Sequence, residues 1–150
     1  MPNNESDLQL TLINIIYGLK TTMKETMSLK EIPLSPLCFM ILKGIHENEK
    51  CTAHALSEMT HKDKGQMARL IKELMLHKVI YKEANPLDKR SQYLRLTEEG
   101  LQYYLELKAA DNIAINQILS DISDKELERF LKLGEKMVNN IATLNTKPKA

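Results

Sequence analysis

Gln66 and Arg69 lie three residues apart in a segment of helical periodicity, so they share one face, about one turn apart. A glutamine amide matches the donor–acceptor pair of adenine, and an arginine fork matches the two acceptors of guanine. Around them Lys62, Lys64 and Lys72 offer point charges for phosphates, contacts that orient a protein without reading sequence. Gly65 lets a partner come close to the backbone at the helix start. Thr52 and the helix amides beside it offer neutral hydrogen bonds to a phosphate. Asp88, Lys89 and Arg90 fall in a turn between two strand-like runs. Arg90 suits the negative potential of a narrow minor groove. Asp88, two residues earlier, is expected to orient the Arg90 guanidinium by a charge-assisted hydrogen bond.

These side chains need a rigid frame. A first helix is predicted over residues 7–28, about 33 Å long, from the spacing of Leu8, Leu12, Ile15, Ile16, Leu19, Met23 and Met27. Residues 1–6 are expected to be disordered. Ser35-Pro36 is a helix start, with serine as N-cap and proline in the first turn. Leu37, Phe39, Met40, Ile41, Leu42 and Ile45 then read as a buried helix to about His46. Glu47–Lys50 forms a turn. Thr52 caps a short third helix with Ala55, Leu56 and Met59 facing inward.

The fourth helix is predicted over about 62–77. It places Met67, Leu70, Ile71 and Leu74 on one side and Lys62, Gly65, Gln66, Arg69 and Lys72 on the other. Val79–Lys82 and Tyr93–Leu96 read as strands around an Asn85–Asp88 turn. Thr97 caps a fifth helix running to about Asp121, apolar at Leu101, Tyr104, Leu105, Ile118, Leu119 and, just beyond its end, Ile122. Ser123–Glu126 is a capping box for a sixth helix, marked by Leu127, Phe130, Leu131, Met137, Ile141 and Leu144. The tail, residues 147–150, is expected to fray. The fold class is therefore mostly α with a small β wing, in the order α-α-α-α-β-β-α-α.

Composition narrows the function classes. The 150 residues carry a net charge of only +1. Between Thr60 and Arg95, however, nine Lys/Arg face four Asp/Glu, while the flanking thirds are each slightly acidic. One basic third on an acidic frame fits a phosphate-facing module. No apolar run approaches the roughly 18 residues of a membrane span, and the N-terminus lacks the pattern of a signal peptide. Two cysteines make no disulfide framework. The cytoplasm is the expected compartment. There is no phosphate-binding loop, dinucleotide fingerprint, nucleophile elbow or converging carboxylate pair, so neither an enzyme nor a cofactor is expected.

The block Asp63–Leu74 and the run Asn85–Arg90, followed by Leu94-Arg95-Leu96-Thr97-Glu98-Glu99-Gly100, resemble the recognition helix, the D-x-R wing and the L-T-x-x-G helix start of the MarR family of winged-helix transcription regulators. The resemblance covers nearly the whole chain. It implies a single domain over 1–150, with a winged helix-turn-helix at 34–97 and dimerisation helices at 7–28 and 101–145. It also implies a homodimer on double-stranded DNA with a pseudo-palindromic operator, half-sites about 34–36 Å apart. One departure is Lys78, where the family often has glycine. If that residue is left-handed, lysine carries a penalty of roughly 1 kcal/mol.

Regulation has several possible inputs. The resemblance implies a repressor released by a small lipophilic or aromatic effector, and adaptable methionines (Met23, Met27, Met40, Met59, Met67 and Met75) at core-like positions suit an apolar pocket. Cys38 is expected to be a buried structural thiol, and Cys51, in a turn, to be more exposed. The set Cys51, His54 and His61, with His46 nearby, matches no established zinc spacing, so no metal is expected. The alternatives are a redox- or metal-responsive regulator on the same fold, or a winged-helix module for protein or RNA.

Overall fold

The computed structural model describes residues 4–29 and 34–145. The expected fraying at 147–150 and the first three of the residues expected to be disordered lie outside them. The elements are α1 (Asn4–Leu29), α2 (Pro36–Glu47), α3 (Ala53–Thr60), α4 (Lys64–Leu76), β1 (Ile80–Ala84), β2 (Gln92–Leu96), α5 (Glu98–Ile118) and α6 (Asp124–Asn145). The backbone divides into two compact units, Met1–Ile115 and Asn116–Ala150.

In the first unit α1 begins at Asn4, so residues 4–6 are helical rather than disordered. Its Met23 and Met27 are buried, but Leu8, Leu12, Ile15 and Ile16 are exposed on the single chain. Ser35 caps α2 as expected: its hydroxyl accepts the backbone N–H of Cys38. Ile41 and Leu42 of α2, Leu56 of α3, Met67 and Leu74 of α4, Leu94 of β2, and Tyr104 and Leu107 of α5 make the innermost core. Phe39 stacks on Tyr104 with ring centroids 5.9 Å apart. At Gly44 the second and third helices come close. A Cβ there would lie 2.8 Å from the Met59 methyl and 3.1 Å from a Leu56 methyl.

Three expectations about faces are corrected. Met40 is 47% exposed, because it lies on the face of α2 opposite the buried Cys38, Ile41, Leu42 and Ile45, and Met59 is 42% exposed at the edge of the stripe of α3. Met75 is exposed too, leaving only Met23, Met27 and Met67 of the six methionines in the core. On α5 the inward stripe is Gly100, Tyr104, Leu107, Ala110 and Ala114, whereas Leu101 and Leu105 are exposed.

The strands pair antiparallel, with Ile80 opposite Leu96 and Ala84 opposite Gln92. β2 is bonded on its other side too: its Leu94 N–H donates to the Cys51 carbonyl at 2.8 Å. That bond ties the hairpin to the start of α3. Where α4 ends, the Lys78 N–H donates to the Met75 carbonyl and the Val79 N–H to the Leu74 carbonyl. This is the bonding of a Schellman motif, and Lys78 is left-handed with φ 57°. The glycine position of the resemblance is real, and lysine carries the strain.

The start of α5 is fixed by contact. Thr97 donates its N–H to the Val79 carbonyl at 3.0 Å and its hydroxyl to the Lys78 carbonyl at 2.7 Å. The same hydroxyl oxygen accepts the Gly100 N–H at 2.9 Å, as an N-cap does. A Cβ on Gly100 would lie 1.8 Å from the Val79 carbonyl oxygen. The Thr-x-x-Gly spacing is therefore a packing requirement that sets the root of the hairpin.

In the second unit, the expected extension of α5 to Asp121 does not occur. The helix ends at Ile118, and Asp121 turns left-handed with φ 65°. The Ser123 capping box forms as expected, with the Ser123 N–H and hydroxyl both donating to Glu126 at 2.8 and 2.7 Å. These bonds hold the Glu126 carboxyl below its ordinary pKa. Phe130, Leu131, Val138, Ile141 and Leu144 of α6 are exposed.

Candidate nucleic-acid interface

α3, the turn His61–Asp63 and α4 form a helix-turn-helix. Thr52 caps α3, its hydroxyl accepting the Ala55 N–H at 3.2 Å. The helix closes at His61, which is left-handed with φ 54°. Lys62 was expected on the face of α4, but it lies in the turn, because Asp63 is the N-cap. Sequence reasoning missed that cap, although Asp63-x-x-Gln66 carries a capping-box spacing. Asp63 Oδ1 accepts the Gln66 N–H at 2.8 Å, and Gln66 Oε1 accepts the Asp63 N–H at 3.4 Å.

Behind this cap, Met67, Ile71 and Leu74 are buried, and Lys64, Gly65, Gln66, Arg69 and Lys72 are exposed. The amide of Gln66 thus has a second employment as a helix cap, through a long bond that a stronger partner would displace. A Cβ on Gly65 would meet nothing closer than Asp63 Oδ1 at 3.4 Å, so the fold itself does not require glycine there.

The hairpin tip is built by two side-chain turns. Asn85 Oδ1 accepts the Leu87 N–H at 2.9 Å, and Asp88 Oδ1 accepts the Arg90 N–H at 2.9 Å. Asn85 Nδ2 also donates to the Ser91 hydroxyl at 2.9 Å, closing the loop. The Asp88 expectation is therefore corrected. Its carboxylate holds the Arg90 backbone, and no ion pair joins it to the guanidinium. A short Asx turn satisfies aspartate locally, which leaves the arginine head free.

Arg95 braces the hairpin. Its Nε donates to Glu83 on the paired strand at 2.8 Å, and Nη1 donates to the Glu49 carbonyl in the turn before α3. Its guanidinium also lies over the Tyr93 ring, 5.5 Å from the centroid. Of the nine bases between Thr60 and Arg95, Arg95 alone has a carboxylate within 4.0 Å among the described residues. The other eight have no ion-pair partner among the described residues. Thr52, Ala53, His54, Lys82, Asp88, Arg90, Ser91 and Gln92 surround a concavity of about 530 Å³ between α3 and the hairpin. The structure thus brings Thr52, Asp88 and Arg90 to one depression.

The cysteines differ from expectation in one respect. Cys38 is buried, as expected, but so is Cys51, at 1% exposure, since its backbone is bonded to β2. Burial pushes its thiol up to about 11, against 9.0 for a free group, and the nearby Arg95 offsets only part of that. A thiol so protonated is a poor nucleophile.

A helix-turn-helix followed by a braced hairpin is a winged helix-turn-helix, the architecture of a DNA-binding class. Residues 32–91 match the model described as the MarR family. The chain is 25% identical over 142 residues to the transcriptional regulator SarZ of Staphylococcus epidermidis, covering 95% of this chain and 88% of the relative. Its fold is similar to that of AbsC, a MarR family regulator from Streptomyces coelicolor, with TM-score 0.83 at 16% identity over 95% of this chain and 97% of that one. It is similar as well to a mutant MarR from E. coli complexed with operator DNA, with TM-score 0.78 at 18% identity over 90% of this chain and 96% of that one. The chain is thus similar to the MarR family of winged-helix, DNA-binding transcription regulators over residues 32–91, and it shares their fold.

Proposed function

We propose that this protein is a homodimeric regulator that binds a pseudo-palindromic operator in the cytoplasm and acts as a repressor released by a small lipophilic or aromatic effector. The observation that carries the DNA-facing part is the set of eight unpaired bases on one braced module. In this reading α4 enters the major groove, with Arg69 on guanine and Gln66 on adenine after its capping bond is released. Lys62, Lys64, Lys72, Lys89 and the Thr52 end of α3 hold phosphates, and Gly65 admits the backbone. Arg90 enters the adjacent minor groove, presented by the Asp88 turn.

The helices 7–28 and 101–145 would make the dimer. Supporting this, Leu8, Ile13, Ile16, Phe130, Leu131 and Ile141 are exposed on the single chain, an apolar display that soluble monomers rarely keep. Among the described residues no helix is long and apolar enough to cross a membrane. An effector would act by binding more tightly to a dimer whose reading heads are spaced wrongly for the operator.

The test is a fluorescence titration of labelled operator across salt concentrations. Log K is expected to fall steeply with log salt. Arg90→Ala should weaken binding severely with fold and dimer intact. A flat salt dependence, or unchanged affinity for that variant, would refute the assignment.

A further inference from the structure

Leu87 stands at the tip of the hairpin, 81% exposed. It is a large apolar side chain where a loop ordinarily carries a small or polar one. Its position is fixed: its N–H is bonded to Asn85 Oδ1, Pro86 sets the backbone just before it, and Asn85 is tied across the loop to Ser91. Next to it Asp88 is engaged by the Arg90 backbone N–H, and beyond Asp88 come Lys89 and Arg90, neither of which has a carboxylate partner among the described residues. Behind it the hairpin is stiff, held by the β1–β2 ladder, the Arg95 brace and the Cys51–Leu94 bond.

An apolar point on a braced turn, with two cations two and three residues further on, matches the minor groove, whose walls are deoxyribose and whose floor is negative. Apolar side chains entering that groove unstack base steps, most cheaply pyrimidine–purine steps such as TA. We infer that Leu87 is a wedge that enters the minor groove beside Arg90 and makes the protein prefer a deformable step under the wing. This rests on the reading that the wing lies in the minor groove. It adds a sequence preference that comes from DNA shape and needs no hydrogen bond to a base.

The experiment uses the full-length protein and an operator recovered from its own genome. The step under the wing is varied among TA, CA and GC with the rest unchanged. Affinity is read by fluorescence anisotropy, and bending by energy transfer between the duplex ends. Wild type should prefer TA over GC by about fivefold, the difference in the cost of unstacking the two steps. Leu87→Ala should bring that ratio close to one and reduce bending, with the salt slope unchanged because no phosphate contact is lost. Arg90→Ala should weaken binding to all duplexes and lower the slope by about one per subunit.

If Leu87→Ala keeps the wild-type step preference and bend while Arg90→Ala weakens binding, the wedge is refuted and the wing assignment stands. If neither variant changes anything, the wing assignment fails with it. Because Leu87 is exposed, its loss leaves the core intact, and an unchanged melting temperature confirms that the readout concerns DNA.

Discussion

Gly100→Ala is expected to destabilise the protein strongly, against the ordinary rule for helices. In an open helix the same change stabilises by about 0.8–1.0 kcal/mol. Here the new Cβ would lie 1.8 Å from the Val79 carbonyl oxygen and 2.7 Å from its carbonyl carbon, where 3.4 Å is an ordinary contact. Both are backbone atoms, so no rotamer change relieves the clash. The start of α5 and the root of the hairpin must separate by roughly 1.6 Å. That stretches two bonds from Thr97, one to the Val79 carbonyl and one to the Lys78 carbonyl. Each is worth about 1 kcal/mol. Overpacking adds about 1–3 kcal/mol, so the net loss should be about 3 kcal/mol. For a chain of this length that lowers Tm by about 6–12 °C.

Gly18→Ala is the comparator. Among the described residues, nothing beyond its chain neighbours and its own helix backbone lies within 4 Å of its Cβ position. Urea titrations at one fixed protein concentration measure both variants, since the stability of the proposed dimer would depend on concentration. If Gly100→Ala is as stable as wild type, the account of the Thr-x-x-Gly junction is wrong.

Three other expectations follow from the site. Gln66→Glu keeps the oxygen that caps α4 but loses the amide donor and adds negative charge, so stability should hold within about 0.5 kcal/mol while operator affinity drops at least tenfold; equal affinity would remove Gln66 from base reading. Lys78→Gly relieves a left-handed lysine of about 1–2 kcal/mol but frees the unfolded chain by about 0.4–1 kcal/mol, so urea melts should show a gain of roughly 0.5–1 kcal/mol, and a loss would contradict the strain argument. Cys51, raised to about 11 in the fold against 9.0 when free, keeps a proton that the unfolded chain releases; stability should therefore be full below pH 9 and fall as pH climbs towards 11, and native Cys51 should resist alkylation at neutral pH until the protein is unfolded.

What the sequence discloses is mostly local. Ser35, Thr52, Thr97 and Ser123 are visible as caps because a cap bonds a backbone N–H three residues away, and the structure keeps all four. The order of elements follows from those caps and from periodicity. The misses have tertiary causes. Cys51 was expected to be exposed because it lies in a turn, but β2 bonds to that turn. Met59 is apolar but sits at a stripe edge, and periodicity alone does not say where a stripe ends; Met40 sits opposite the buried face of α2 in an apolar run whose outward side looks the same by residue type. Arg95 counted among the basic residues, yet Glu83 and the Glu49 carbonyl, distant in sequence, take its guanidinium. Asp88 is an instructive case. The expectation looked to the nearest opposite charge, whereas a short side chain in a turn bonds the nearest backbone N–H first.

The measurement that bears most directly on the account is a hydroxyl-radical footprint of the protein on an operator recovered from its own genome. Two wings and two recognition helices on a two-fold dimer should protect symmetric pairs of patches, with half-site centres about 34–36 Å apart. Arg90→Ala should erase the minor-groove protections and leave those of α4 weakened in place. A single unpaired patch, or protection that ignores both the basic face of α4 and the wing, would contradict it.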